Sequence, residues 1–286
     1  MSGSELIQVR RTLSNTPLAE RHEDALRGAL ARVPKALPWD AFDRTQYPEP
    51  ALQLAADLFG KLAIGEYSAV GLFTHLTSGL ALTGAPFDLV LASSRVSSDE
   101  VRHADYCVRM AESCAGAEVP LKIERDALEA NLVSAFAVEE IDFLMLKYAA
   151  VGETLATALL TECRRRAKDP LIRALFTSLV GDEVHHARFG WYYAAHRAPL
   201  WTQPERQRLA DRLAEFLIRL EAEFWMGRDA PAGAEAAARA LGVLDSECQR
   251  EVISGVMQTE ILPALDAIGF NGSAVWAIRE RGSAEV

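Results

Sequence analysis

Cysteine is scarce in this chain, and its spacing excludes the usual thiolate metal sites. The 286 residues include four cysteines, at positions 107, 114, 163 and 248, and no two of them form a C-x-x-C pair. Neighbouring residues therefore cannot build a zinc ribbon or a rubredoxin-type iron site. We interpret the four as reduced thiols in a cytoplasmic protein.

Long apolar runs and an excess of positive charge are also lacking. The chain has no run of eighteen apolar residues, and its start, MSGSELIQVRR, has no apolar stretch after the basic residues. These absences argue against both export and membrane insertion. The 30 basic residues are outnumbered by 40 acidic ones, for a formal charge of -10. This balance argues against nucleic-acid binding, which needs a positive surface.

Strand signals are almost absent, whereas apolar residues recur at helical spacing in alanine- and leucine-rich stretches, which predicts an all-α fold. We expect four long helices within residues 50–197: one over 50–79, one from 86 to about 116, one ending near 168, and one from 170 to just before 199. Residues 1–49 should form an N-terminal segment packed on this bundle, with a short helix over 18–31. Residues 198–286 should add flanking helices to the same domain.

Two short segments of the chain repeat. SSDEVRHADY at 97–106 and VGDEVHHARF at 180–189 share D-E-V-x-H-A in register, and each contains Glu-x-x-His. Upstream of each copy, a Gly-Glu pair stands in an otherwise apolar helix, at Glu66 and Glu153. Neither glutamate has another acid close by, so neither belongs to an ordinary charged face. A buried carboxylate needs a partner.

The spacing of these residues fits two helical hairpins. Level residues of an antiparallel helix pair are equidistant from the turn, and the midpoint of Glu66 and Glu100 is residue 83, inside the breaker sequence LTGAP. The midpoint of Glu153 and Glu183 is residue 168, beside Asp169-Pro170. Glu139 and Glu140 would misplace that turn, so we interpret them as surface acids or acids beside the site.

The pattern predicts that four carboxylates and two imidazoles converge, because residues three apart lie on one helix face. The predicted metal ligands are Glu66, Glu100, His103, Glu153, Glu183 and His186. Oxygen and imidazole donors suit a pair of divalent cations, iron or manganese before zinc or calcium. Four carboxylates also neutralise two such cations, which lowers the cost of burying either set.

Glu, Glu-x-x-His, Glu, Glu-x-x-His on four helices resembles the ferritin-like di-iron carboxylate superfamily, over about residues 50–197. The resemblance is to its oxygen-activating members: multicomponent monooxygenases, acyl-carrier-protein desaturases, ribonucleotide reductase small subunits and p-aminobenzoate-type N-oxygenases. It implies that Glu66, Glu100 and His103 chiefly bind one iron and that the second set binds the other. Glu100 and Glu183 would be the bridging ligands.

The same resemblance implies roles for residues around the ligands. Asp99 and Asp182 would each accept a hydrogen bond from the opposite histidine ligand. Arg102 matches an arginine that pairs with such an aspartate, and the second repeat has His185 in its place. Thr157 matches a hydroxyl assigned to proton delivery, although a helix threonine often bonds its own backbone.

Two positions depart from particular branches of the superfamily. Leu179 stands where the N-oxygenases carry a seventh ligand, a histidine. Cys107 stands where ribonucleotide reductases carry a radical tyrosine. These departures disfavour storage of a radical for nucleotide reduction and leave arylamine N-oxygenation without its extra ligand.

The resemblance implies an O2-dependent oxygenase or oxidase that hydroxylates, N-oxygenates or desaturates a small organic substrate. No flavin, nicotinamide or iron–sulfur signature occurs in the chain, so an external electron donor or reductase is expected. A homodimer is compatible with the flanking helices. The alternatives are a ferroxidase or iron-storage protein, a dimanganese catalase, and a metal-free helical scaffold.

Overall fold

The computed structural model describes residues 6–9, 37–129, 137–223 and 226–282. In these residues the prediction of an all-α fold is confirmed, since all but two short strands of the regular structure is helical. The exception, which the sequence did not indicate, is an antiparallel pair of strands, β1 (Leu6–Val9) and β2 (Leu121–Glu124). The helix expected at 18–31 lies outside the described residues.

The first hairpin joins helices α1 (Glu49–Leu82) and α2 (Phe87–Ala115). Pro50 lies in the first turn of α1, where its missing N–H costs nothing. Gly84, in the turn, has φ 74°, and Gly116 ends α2 at φ 70°, a left-handed conformation that favours glycine. The helices begin and end within three residues of the predicted positions.

The second hairpin has an interrupted first helix. A short α3 (Arg125–Glu129) precedes α4 (Val138–Leu144), a π-helical segment (Met145–Gly152) and α5 (Glu153–Arg166), which run on without a break. Helix α6 (Pro170–Arg197) follows. The predicted N-cap of α6 is present, since the Asp169 carboxylate accepts hydrogen bonds from Leu171 N at 2.9 Å and Ile172 N at 3.0 Å.

The C-terminal helices pack mainly on the second hairpin. They are α7 (Gln203–Glu223), α8 (Glu235–Ala240), α9 (Ser246–Val256), a π-helical turn (Met257–Ile261), α10 (Leu262–Ala267) and α11 (Gly272–Gly282). Helix α7 contacts α4 and the π-helical segment, and α9 contacts α5. The boundaries drawn at residues 50 and 198 stay predictions.

One helical stretch in the described residues, 138–166, is long and apolar enough to span a membrane by length and composition. Its most apolar window is 67% buried inside the fold, however. Glu139 and Glu140 at its start form ion pairs with Arg208 and Arg212 of α7. The stretch is therefore built like the core helix of a soluble protein.

Candidate metal centre

The two hairpins bring all six predicted ligands to one place in the fold. Their donor atoms form two groups, in each of which the atoms lie within 4.8 Å of one another. One group is Glu66, Glu100, His103 and Glu183, and the other is Glu100, Glu153, Glu183 and His186. The cluster can therefore hold a metal ion, and Glu100 and Glu183 belong to both groups.

The shared glutamates each offer one oxygen to each histidine. His103 Nδ1 lies 3.1 Å from Glu183 Oε1 and 3.3 Å from Glu100 Oε2. His186 Nδ1 lies 3.2 Å from Glu183 Oε2 and 3.2 Å from Glu100 Oε1. Each of these two carboxylates thus has its two oxygens turned to two different nitrogens. Glu66 belongs to only one of the two groups. Its Oε2 lies 3.6 Å from His103 Nδ1, farther than the oxygens of the shared glutamates.

Several polar atoms at the centre of the cluster lack a hydrogen bond. Among the described residues, both carboxylate oxygens of Glu100 and Nδ1 of His103 are buried without a hydrogen-bond partner. Leaving such groups unsatisfied costs about 1–3 kcal/mol each, and more when they are charged. His186 Nδ1 does lie at hydrogen-bond distance from Glu183 Oε2, 3.2 Å, whereas the contacts of His103 Nδ1 with Glu100 and Glu183 lack hydrogen-bond geometry. A bound cation would satisfy the oxygen and imidazole donors that are left without a partner.

Burial and crowding shift the pKa values of the carboxyl groups. Burial raises the pKa of Glu66 well above its usual value, and the Glu100 carboxylate raises it further. Burial and the Glu183 carboxylate have the same effect on the pKa of Glu153. For Glu183, burial is outweighed by the two histidines, which hold its pKa well below the usual value.

The pKa values of the two histidines are raised, against the effect of burial. Burial disfavours their charged forms, yet Asp182 and the glutamates raise the pKa of His103 well above its usual value. Asp99, followed by the glutamates, raises the pKa of His186 in the same way. Protons on both rings thus offset the clustered carboxylates when no cation is present. A cation that binds must displace those protons.

Each histidine is oriented by the other hairpin. His103 Nε2 of α2 lies 3.2 Å from Asp182 Oδ2 of α6, and His186 Nε2 of α6 lies 3.3 Å from Asp99 Oδ2 of α2. A hydrogen bond at Nε2 fixes the ring and leaves Nδ1 for the ligand side. The crosswise arrangement matches the one that the resemblance implies for these aspartates.

A single arginine connects the two aspartates. Arg102 Nη2 donates to Asp99 Oδ1 at 2.7 Å and to Asp182 Oδ2 at 2.8 Å. The expectation that His185 would serve the second repeat is not met, because the His185 side chain is exposed and lines a surface groove. Adjacency to His186 turns it about 100° around the helix. The Arg102 guanidinium therefore holds the aspartates of both hairpins.

The structure gives the Thr157 hydroxyl a backbone role. Its Oγ1 donates to the carbonyl oxygen of Glu153 at 2.7 Å, one turn earlier in α5. This is the common back-bonding of a helix threonine. Among the described residues the hydroxyl makes no other hydrogen bond, and the catalytic role that the resemblance implies for Thr157 stays a prediction.

Sequence reasoning missed the π-helical segment that ends at Gly152, directly before Glu153. Helix α6 approaches this segment so closely that a Cβ on Gly190 would lie 2.1 Å from the backbone of Ala149. Trp191 Nε1 donates to Thr154 Oγ1 at 2.9 Å, and that hydroxyl donates to the Ala150 carbonyl at 2.6 Å. Short π-helical segments are frequent at functional sites. Here α6 fixes the helix that presents Glu153.

Asp142 lies in α4, three residues before the π-helical segment begins, and sequence reasoning also missed it. This buried carboxylate accepts hydrogen bonds from Tyr193 at 2.7 Å, from Arg197 at 2.8 and 2.9 Å, and from Trp201 at 2.8 Å. Arg197 neutralises the charge of Asp142 and so offsets the desolvation cost of burying it. The signal was available, since an acid inside an apolar helix was the criterion that singled out Glu153.

The four cysteines are buried and free. Cys107 lies near the cluster, and its burial, followed by the Glu66 carboxylate, raises the pKa of its thiol well above the usual value. Neither ligand group includes a thiol. The cluster is accordingly one of oxygen and nitrogen donors.

No protein-family model, no curated protein and no solved structure matches this chain. The resemblance to ferritin-like di-iron carboxylate proteins rests on the six ligands, the aspartates and their helices alone.

Proposed function

We propose that this protein is a non-haem di-iron, O2-dependent oxidoreductase that hydroxylates, N-oxygenates or desaturates a small organic substrate. The observation that carries the proposal is the sharing of Glu100 and Glu183 between two ligand groups. A site for one ion would not need two carboxylates whose oxygens are divided between two histidines.

The donor set supports iron, with manganese as the substitute. Carboxylate oxygens and imidazole nitrogens suit both metals better than zinc with its frequent thiolate ligands, or calcium with its all-oxygen shell. Four glutamates balance two divalent charges. Two ferrous ions in this place would supply electrons for the reduction of O2 and, with it, the oxidation of a substrate.

The protein's own residues hold and shield this chemistry. Asp99 and Asp182 fix the ring orientations of the histidines, and Arg102 keeps both aspartates charged and in place. Hydrogen bonds from His186 and Arg102 outweigh burial and keep the pKa of Asp99 below its usual value. Burial of Glu100, His103, Glu183 and His186 excludes bulk water from the ligand atoms.

The proposal includes an electron-donor partner and a cytoplasmic location. Repeated turnover needs electrons from outside, and the chain has no signature of a flavin, nicotinamide or iron–sulfur group. An external reductase would supply them. Four free, buried thiols are typical of a reducing compartment.

The test is an anaerobic ferrous titration followed by exposure to O2. We expect two irons per chain, and a transient visible absorption in stopped flow when O2 is added. The Glu100→Ala and His103→Ala variants should lose most of the iron, whereas Glu139→Ala, which removes a surface carboxylate paired with Arg208, should keep it.

Other results would point elsewhere. Two irons retained by His103→Ala would contradict the ligand set. Two irons without any response to O2 would remove the oxygen chemistry. Continued uptake of iron beyond two per chain would indicate a ferroxidase, and peroxide disproportionation by a manganese form would indicate a catalase.

A further inference from the structure

Exposed apolar side chains gather at one end of the hairpin pair, around the turn between α1 and α2. Phe87 is 95% exposed, Leu82 70%, Leu91 63% and Tyr192 67%. We call these four residues the end patch. Single exposed apolar residues are ordinary, but a cluster of large ones marks a surface that binds something.

A groove of about 540 Å³ lies beside the patch, between the start of α2 and the end of α6. Asp88, Leu89 and Ala92 line one wall, and Arg188, Phe189 and Tyr192 line the other. The crosswise pairs 99–186 and 103–182 show that α2 and α6 run antiparallel. Phe87 and Leu91, one turn apart on α2, each precede a residue that lines the groove, Asp88 and Ala92, and so form an exposed ridge beside it.

The charge of this end differs from that of the whole chain. Residues 81–96 and 185–200 contain one acid, Asp88, and three arginines, although the chain carries a formal charge of -10. Arg197 is paired with Asp142. Arg95 and Arg188 have no ion-pair partner among the described residues. Approach of a second copy at this end meets less like-charge repulsion than the net charge suggests.

We propose that the end patch and groove form an isologous interface with a second copy of this chain. The Phe87–Leu91 ridge of each copy fills the groove of the other, and Asp88 of each faces an arginine of the other. A two-fold interface needs such self-complementarity, a ridge beside a groove and both charge signs on one face. This inference does not depend on the metal centre.

The size of the patch is near the lower limit for a specific interface. An aromatic side chain buries roughly 150–250 Å², so Phe87 and Tyr192 from both copies account for about 600 Å². The leucines bring the total toward the roughly 1,000 Å² that a specific interface needs. A lipid surface or an acidic protein would also accept apolar residues and arginines, but neither requires the groove or Asp88.

The test is the molecular mass of the full chain by sedimentation velocity and multi-angle light scattering, over concentrations from about 1 to 100 µM. We expect a dimer. Phe87→Glu and Leu91→Glu should each weaken it by about 30-fold or more, the loss of a central contact. Val138→Glu, at an exposed apolar residue on α4, is the matched control and should leave the dimer intact.

Charge variants identify the contact. Asp88→Arg and Arg188→Asp should each weaken the dimer, and the double exchange should restore it. Circular dichroism of each variant distinguishes weakened association from misfolding. A monomer throughout the concentration range would overturn the proposal, as would a dimer unchanged by both Phe87→Glu and Leu91→Glu. Binding of the monomer to anionic vesicles would assign the patch to a lipid surface instead.

Discussion

The two hairpins supply the same ligands from different surroundings. Glu66 belongs to a regular helix in which no residue from 64 to 71 is buried, whereas Glu153 follows a π-helical segment in which seven of eight residues are buried. The neighbours of Glu66 in the first hairpin are therefore at least partly exposed to solvent. The second is enclosed by α6 and α7.

This difference shows that a repeated ligand pattern does not require repeated packing. In the first hairpin, the short turn at 83–86 and regular helical spacing suffice to place Glu66 level with Glu100. In the second, contacts from α6 and from Trp201 hold the segment that presents Glu153. Of the two outer glutamates, Glu66 has the more exposed neighbours along its helix.

The largest expected effect separates the shared ligands from those that belong to one group only. Glu183→Ala should lower the affinity for both of the proposed metal ions by more than about a hundredfold, because a ligand atom is lost from each group. Glu66→Ala and Glu153→Ala should each leave one ion bound. Metal analysis of protein dialysed against a weak chelator measures this. Equal losses in all three variants would mean that the two groups act as one.

A glycine exchange tests the enclosure of the second hairpin. Gly190→Ala should lower the free energy of unfolding by about 3 kcal/mol, since the new methyl group overlaps the backbone at Ala149. Gly181→Ala, on the same helix with open space around its Cα, should raise it by about 0.5–1 kcal/mol. Denaturant titration gives both values. Tolerance of Gly190→Ala would show that the π-helical segment is free to shift.

The aspartate pairs provide a test that treats both hairpins alike. Arg102→Met should weaken both metal positions by about 10- to 100-fold, because both aspartates lose their anchor. His185→Ala, the corresponding residue of the second repeat, should change neither. Competition titrations with a coloured chelator report the affinities. A loss confined to one position would contradict the shared role of Arg102.

The smallest expected effect is on the pH dependence of the free energy of unfolding, through Glu162 near the end of α5. Hydrogen bonds from Arg165 and Arg166 lower the pKa of Glu162 to about 2. Because this pKa is depressed in the folded state, its contribution is present above the unfolded value of about 4.3 and is lost as the pH falls toward 2. Solvent screening limits it to about 1 kcal/mol.

Unfolding of the Glu162→Gln variant between pH 7 and pH 2 checks this expectation. The variant should be less stable than the natural chain at pH 7, and the two should converge at pH 2. Parallel pH profiles would assign the stability to other carboxylates.

The sequence predicted the long helices because turn residues and apolar spacing are local properties. Asp169-Pro170 could only begin a helix, and the hairpin midpoints paired Glu66 with Glu100 before any contact was known. The π-helical segment could not be predicted, since it packs against Gly190, which is about forty positions away in the chain and has no side chain to keep the helices apart. The exposure of His185 follows from helix geometry. The alignment of the two repeats, in which His185 occupies the position of Arg102, suggested a role beside the ligands instead.

The crosswise bonds have a consequence for how small a version of this centre can be. Asp99 orients a histidine that its own hairpin does not carry, and Asp182 does the same in return. A half-length chain with one Glu and one Glu-x-x-His would leave its imidazole unguided. It would assemble the site only by pairing with a duplicate of itself, each half lending the other its aspartate.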